Sequence, residues 1–370
     1  MTSSADLYPV SRLDTVQQAT AKAGVDALLL TPGPDLRYVS GYDAKPLERL
    51  TCLVVPASGE PYMMVPRLEL PAAQASPASR LGLEFVAWDE TDDPYRIAAD
   101  RLGAVATVGV ADRMWAMSSL RFREVLPGAE QVLAGRVLRG LRMRKSPAEV
   151  AALREAGEAI DAVHRQVPGF LRAGRTEREV GRDIAEAILA AGHATVDFVI
   201  VASGPNGASP HHDVSDRVIQ PGEPVVVDIG GQLHNGYCSD STRTYCVGEP
   251  PADFAAYYEV LRRAQEAACA AVRPGVPCES IDAAARDVLA EAGYGDYFIH
   301  RTGHGIGVET HEEPYIVAGN AEPMEPGFAF SIEPGVYLPG RHGARIEDIV
   351  VCGGSGAERL NDTSRELVIV

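Results

Sequence analysis

The sequence is short of lysine, of paired cysteines and of long apolar runs, and each shortage closes off a class of protein. Lysine occurs only at 22, 45 and 145, and Lys+Arg total 34 against 51 Asp+Glu, a formal charge of −17. A chain that acidic repels phosphate backbones and anionic lipid headgroups, so neither nucleic acid nor a membrane surface is expected as a partner. The six cysteines (52, 238, 246, 269, 278, 352) contain no CxxC pair. That argues against a zinc–thiolate site or a disulfide framework and for reduced thiols in the cytoplasm. No apolar run approaches the roughly 20 residues that span a bilayer. The opening MTSSADLYPVSRLD has neither the basic stretch nor the apolar core of a secretory leader. What the chain does have is 370 residues, 46% of them hydrophobic, enough for about two domains with cores of their own.

Residues 1–142 read as an α/β domain. Arg12–Gly24 has helical spacing and Val25–Leu30 that of a buried strand. Thr51–Val55 and Pro61–Val65 form a strand pair joined by the turn ASGE. No cluster of His, Asp and Glu marks this part for chemistry, which leaves it scaffolding, substrate gating or dimer contact. After the basic run RVLRGLRMRKS, Ser146-Pro147-Ala148-Glu149 carries the capping-box signature of a helix start, and the domain boundary falls near residue 142.

Residues 143–370 contain a hidden repeat. LRAGRTEREVGRDIAEAILAAG (171–192) and VRPGVPCESIDAAARDVLAEAG (272–293) superpose at a constant offset of 101. Each reads as a helix closed by glycine and followed by strands, which makes this part an α+β domain of two half-domains related by a pseudo-twofold. The stretch VVVDIGGQLHNGYCSDSTRTY (225–245) sets Asp228 and Asp240 on the two arms of a hairpin. The repeat then calls for a second acidic hairpin about 100 residues on, and FAFSIEPGVYLPGRHGARIEDIVV (328–351) supplies it with Glu333 and Glu347. Counting outward from the turns, Asp228 and Asp240 are symmetric about His234, and Glu333 and Glu347 about Gly340, so each pair should face across its hairpin. Each acidic residue alone reads equally well as a cap, a turn residue or a solvated strand face. Four of them converging inside a protein need positive charge to stay ionised. A divalent metal pair meets that need. RTGHGIGVETHEEPY places His304 and His311 between the hairpins, and PHHD places His211 and His212 before the first.

These motifs resemble the pita-bread metallopeptidases, the family of methionine aminopeptidase, aminopeptidase P and prolidase. DIGG…GYCSDSTRT, GHGIGVETHEEPY, SIEPGVY and GARIEDIV carry the resemblance over 143–370. GVDALLLTPGPDLRYVSGY extends it more weakly to the creatinase/prolidase N-terminal domain over 1–142. The resemblance implies that Asp228, Asp240, His304, Glu333 and Glu347 are metal ligands, with Asp240 and Glu347 bridging. It implies two divalent ions per chain, Mn²⁺ first and Co²⁺, Zn²⁺ or Fe²⁺ as substitutes. A hydroxide bridging them attacks the peptide bond, with Glu333 as proton shuttle. By the same resemblance His311 stabilises the tetrahedral intermediate and His211 contacts substrate. His300 and Arg345 hold a substrate carboxylate, unless Arg345 only orients Glu347; His212, Glu312 and Glu313 take supporting roles. The implied activity is that of an Xaa-Pro dipeptidase on proline-containing dipeptides, in a homodimer. The alternatives are an aminopeptidase P acting on longer peptides, a metal-free creatinase-like C–N hydrolase and an inactive peptide-binding module. The family spaces its aspartates D-x-G-x4-G-Y-x-[ST]-D; this chain has one residue more before Gly236-Tyr237, for the turn or a bulge to absorb.

Overall fold

The computed structural model describes residues 3–370, which fall into two compact units, one ending at Arg142 and the other running Met143–Val370. The first unit is built on six strands: β1 (Ala27–Leu30), β2 (Cys52–Pro56), β3 (Tyr62–Pro66), β4 (Glu84–Trp88), β5 (Thr107–Val110) and β6 (Glu130–Leu133). They form one mixed sheet in the order β4-β3-β2-β1-β5-β6. The expected helix near residue 12 spans Ser11–Lys22, and the pair joined by ASGE is antiparallel with Cys52 opposite Met64. Leu29, Val54, Met64, Trp88 and Phe122 fill the core on one face. Uninterrupted burial of β1 follows from its ALLL sequence and its place inside the sheet.

The second unit opens as the sequence signals. Ser146 caps the helix Pro147–His164 in a reciprocal capping box with Glu149. Helix Glu177–Ala190 leads to β7 (His193–Ser203), β8 (Glu223–Leu233) and β9 (Cys238–Val247). Helix Ala252–Ala271 and then helix Cys278–Glu291 lead to β10 (Gly303–Gly305), β11 (Glu312–Ile316), β12 (Ala329–Ile332), β13 (Gly335–Leu338), β14 (His342–Arg345), β15 (Asp348–Cys352), β16 (Ala357–Arg359) and β17 (Val368–Ile369). The sheets run β17-β9-β8-β7 and β11-β10-β12-β15-β16, with β13-β14 as a separate hairpin. The repeated helices each precede one of the two larger sheets. Gly192 and Gly293 follow their ends at φ 106° and 84°, where a side chain would be strained.

The halves clasp along β9. Glu347 N–H donates to Thr242 O at 3.1 Å, and Thr244 Oγ1 exchanges hydrogen bonds with the backbone of Arg345. Between this clasp and the helix Pro147–His164, every residue of β9 is buried, although its sequence CSDSTRTYCV is largely polar. The solvated hairpin face that SDSTRT allowed is therefore absent. Among the described residues, no helix is long and apolar enough to cross a membrane.

Candidate metal centre and active site

Asp228 and Asp240 share a face of the β8–β9 hairpin, but not a rung. The ladder runs without a shift from Glu223 opposite Val247 to Gln232 opposite Cys238, which sets Thr242 opposite Asp228 and Gly230 opposite Asp240. The expected symmetry about His234 is thus corrected to Asn235: the two aspartates are diagonal neighbours. The turn Leu233–Tyr237 is centred on Asn235 and takes up the extra residue, with Leu233 N–H bonded to Tyr237 O and Gly236 N–H to Leu233 O. The second hairpin keeps the expected centre. Ile332 faces Asp348 and Gly335 faces Arg345, both symmetric about Gly340, which leaves Glu333 and Glu347 at the matching step between them.

His304 is delivered by β10. A Cβ on Gly303 would sit 1.8 Å from Ser331 O, and one on Gly305 would sit 2.1 Å from Glu313 O, so the glycines around His304 are what let β10 lie between its neighbours. His304 Nδ1 lies 3.1 Å from Gly305 O and donates to it, which turns Nε2 inward. Nε2 lies 3.2 Å from Glu333 Oε1 and 3.5 Å from Asp240 Oδ2. Ligand atoms of Asp240, His304 and Glu347, all buried, lie within 4.8 Å of one another.

The electrostatics of this cluster call for a cation. Burial, with Glu347, Asp228 and Glu333 around it, pushes the Asp240 carboxyl well above the usual range, and burial with Glu333 and Asp228 does the same to Glu347. Burial also acts upward on Glu333, but the hydrogen bond and charge of His304 bring it down to about 2. Asp228 Oδ1 and Glu347 Oε1 are buried and accept no hydrogen bond. Unpaired buried carboxylate oxygens are costly, and oxygen-rich sets with one imidazole are what divalent first-row metals take. The residues present therefore fit a metal centre.

The other oxygens are held by neighbours that sequence reading did not single out. Thr242 Oγ1 donates to Glu347 Oε2 at 2.7 Å, and Ser331 Oγ donates to Glu333 Oε1 at 3.0 Å while accepting from His304 N–H. Both lie two residues from a candidate ligand on the same strand face, so the spacings D-x-T and S-x-E were the available signal. Arg345 is buried, and its fork reaches Asp228 Oδ2 at 2.5 Å, Tyr337 Oη at 2.7 Å, Thr242 Oγ1 at 3.1 Å and Pro210 O at 3.3 Å. Its direct carboxylate partner is Asp228, not Glu347, and these contacts take up four of its five N–H donors. His300 Nδ1 donates to Arg301 O, and its Nε2 accepts from Tyr337 Oη at 2.9 Å, so this ring too is held by the protein. Burial lowers its pKa, in keeping with a neutral ring.

His311 and His211 stand at the exposed edge of the cluster. The His311 ring centre is 4.0 Å from that of His304, and His211 is within electrostatic reach of His300 and His311. His212 turns away to Glu177 Oε2 at 2.8 Å, and Glu312 pairs with buried Lys145 at 2.5 Å.

Two acidic hairpins joined by one imidazole, in a repeated α+β unit that follows a separate α/β unit in the chain, define a pita-bread metallohydrolase with a creatinase-like N-terminal domain. Residues 151–353 match the model of metallopeptidase family M24, and residues 12–144 match the creatinase/prolidase N-terminal domain. The chain is 55% identical over 367 residues to the protein called "Probable dipeptidase PepE" of Mycobacterium tuberculosis, across 99% of this chain and 97% of that one. It is 34% identical over 366 residues to an Xaa-Pro dipeptidase of Lactobacillus helveticus, across 97% and 98%. The crystal structure of dipeptidase PepE from Mycobacterium ulcerans superposes with a TM-score of 0.92 at 56% identity, across 97% of each chain. The chain belongs to metallopeptidase family M24.

Proposed function

We propose that this protein is an Xaa-Pro dipeptidase, releasing the N-terminal residue from proline in a dipeptide. The buried convergence of Asp240, His304 and Glu347 carries this reading, in a chain alignable end to end with an Xaa-Pro dipeptidase. Asp228, Asp240, His304, Glu333 and Glu347 would hold two divalent cations, with Mn²⁺ suiting the oxygen-rich set and the imidazole admitting Co²⁺, Fe²⁺ or Zn²⁺. Cations bound there supply Lewis acidity toward a carbonyl oxygen and lower the pKa of a water.

The chain's own groups do the rest. Glu333, held ionised by His304 and steadied by Ser331, takes the proton of the attacking water as its oxygen bonds to the carbonyl carbon. The C–N bond then breaks, and the proton passes from Glu333 to the proline nitrogen. His311 would hydrogen-bond the carbonyl oxygen as it gains charge, and His211 would contact the substrate from the other wall of the site. Arg345 holds Asp228 in position and, through Tyr337, fixes His300. We further propose a domain boundary near residue 142, a homodimer of the 39.4 kDa chain, and a cytoplasmic location, the last supported by the burial of all six cysteines and by the lack of any CxxC pair. Hydrolysis of Ala-Pro and Ala-Pro-Ala compared side by side tests the activity: preference for the dipeptide is expected, and preference for the tripeptide turns the reading to an aminopeptidase P.

A further inference from the structure

Glu177 is out of the ordinary for its place. It is the first residue of helix Glu177–Ala190, where acidic side chains usually lie in solvent near the helix N-terminus. The capping box of this helix is completed by Glu179 with Thr176, which leaves Glu177 with no capping duty. It is instead fully buried, at 0% exposure, and turned away from its own helix.

Its oxygens gather donors from the last residue of β7 and from the connection that follows it to β8. Oε1 accepts from Ser203 N–H at 2.8 Å, Ser203 Oγ at 2.7 Å and Asn206 Nδ2 at 3.0 Å. Oε2 accepts from Ser215 Oγ at 2.6 Å, His212 Nε2 at 2.8 Å and Ser215 N–H at 3.3 Å. Beyond the single helical turn Gly204–Ala208, this connection has no regular structure to hold its shape. A buried carboxylate this fully satisfied acts as a rigid tie.

His211 is carried by that connection, and its exposed side chain leaves its position to its neighbours. The residue before it is fixed through Pro210 O, which accepts from Arg345 Nη2 at 3.3 Å. The residue after it is fixed through His212 on Glu177. One tie thus leads to the arginine that holds Asp228, and the other leads to Glu177.

We infer that Glu177 is the positioning residue of His211, setting the reach of that imidazole from the far end of the connection through His212, Ser215 and Asn206. The inference rests on the Xaa-Pro dipeptidase reading only for its kinetic consequence. Glu177→Gln preserves shape but replaces one acceptor oxygen with a donor that opposes Ser203 and Asn206 in one setting of the amide and His212 and Ser215 in the other. Loosening of the 204–215 connection follows, and the imidazole spends less time in reach of the substrate.

The test is a double-mutant cycle on the metal-loaded enzyme, combined with hydrogen exchange. Glu177→Gln is expected to lower kcat/KM on Ala-Pro about tenfold, mainly in kcat, but to add less than about twofold to the loss caused by His211→Ala. Amides of 204–215 exchange faster in Glu177→Gln while those of β8 and β9 keep their wild-type rates. Equal losses in both backgrounds, or unchanged exchange over 204–215, overturn the inference. Should Glu177→Gln not fold, the milder pair His212→Leu and His212→Gln serves: Leu loses the tie, and Gln, whose amide can donate in place of Nε2, restores kcat. A failure of Gln to recover more than Leu also overturns it. Wild-type enzyme inactive on Ala-Pro sinks the dipeptidase reading instead, and the exchange experiment still decides the role of Glu177.

Discussion

Arg345 and Asp228 form a buried ion pair, Nη2 to Oδ2 at 2.5 Å, with side chains 3% and 11% exposed. The arginine comes from the second acidic hairpin and the aspartate from the first, so the pair joins the two halves of the cradle. It also occupies Oδ2 while Oδ1 stays without a protein partner. One oxygen is thereby held by the protein, and the other is the one that would meet a cation under the proposed metal centre.

Arg345→Lys should weaken the metal centre. Lysine keeps the charge but cannot hold Asp228, Tyr337 and Thr242 together as a planar fork does. The expected result is metal affinity lower by about 10–100-fold, read by competition with a chelator, with catalysis recovering at high metal concentration.

The contribution of Asp240 and Glu347 to the stability of the metal-free protein should fall as pH rises above about 4. Asp240 and Glu347 have carboxyls held above their ordinary values, chiefly by burial. Groups raised on folding stabilise the fold below their unfolded pKa, about 4, and that contribution is lost as pH rises through the folded value. Glu333 works the other way: lowered to about 2, it stabilises above about 4.3 and loses this as pH falls through the folded value. The gap in Tm between metal-loaded and chelated protein should therefore widen as pH rises above about 4, the unfolded pKa of the two raised carboxyls. A constant gap contradicts this account of the carboxylates.

Gly343→Ala should disturb the fold and the site together. Its Cβ would lie 2.0 Å from Gly207 O, a backbone atom of the connection that carries His211. Overpacking of this kind costs about 1–3 kcal/mol, seen as a lower Tm, and kcat should fall with it. Wild-type stability in this variant would mean that the two segments are not in fixed contact.

Legibility in the sequence followed the scale of the relationship. The second acidic hairpin could be anticipated because the 101-residue repeat is carried by residues that recur along the chain. The centre at Gly340 could be counted because Glu333 and Glu347 flank their turn symmetrically. The count failed at Asp228 and Asp240: the turn is centred on Asn235, one residue past the midpoint of the two aspartates, and a turn's internal bonds are not written in strand alternation. Thr242, Ser331 and Tyr337 escaped notice because their partners depend on which strand faces meet across the clasp. Arg345 was noticed, but its orientation toward Asp228 instead of Glu347 depends on the same clasp. Glu177 was out of reach altogether, since its donors lie 26 to 38 positions away on an irregular segment.

The most direct test of the account is to titrate chelated protein with Mn²⁺ while measuring bound metal and Ala-Pro hydrolysis in the same samples. Activity should be absent at the start and rise with occupancy to a plateau at about two ions per chain, with Asp240→Asn binding less metal and showing no comparable rise. Full activity in the metal-free protein, or an undiminished rate in Asp240→Asn, would contradict it.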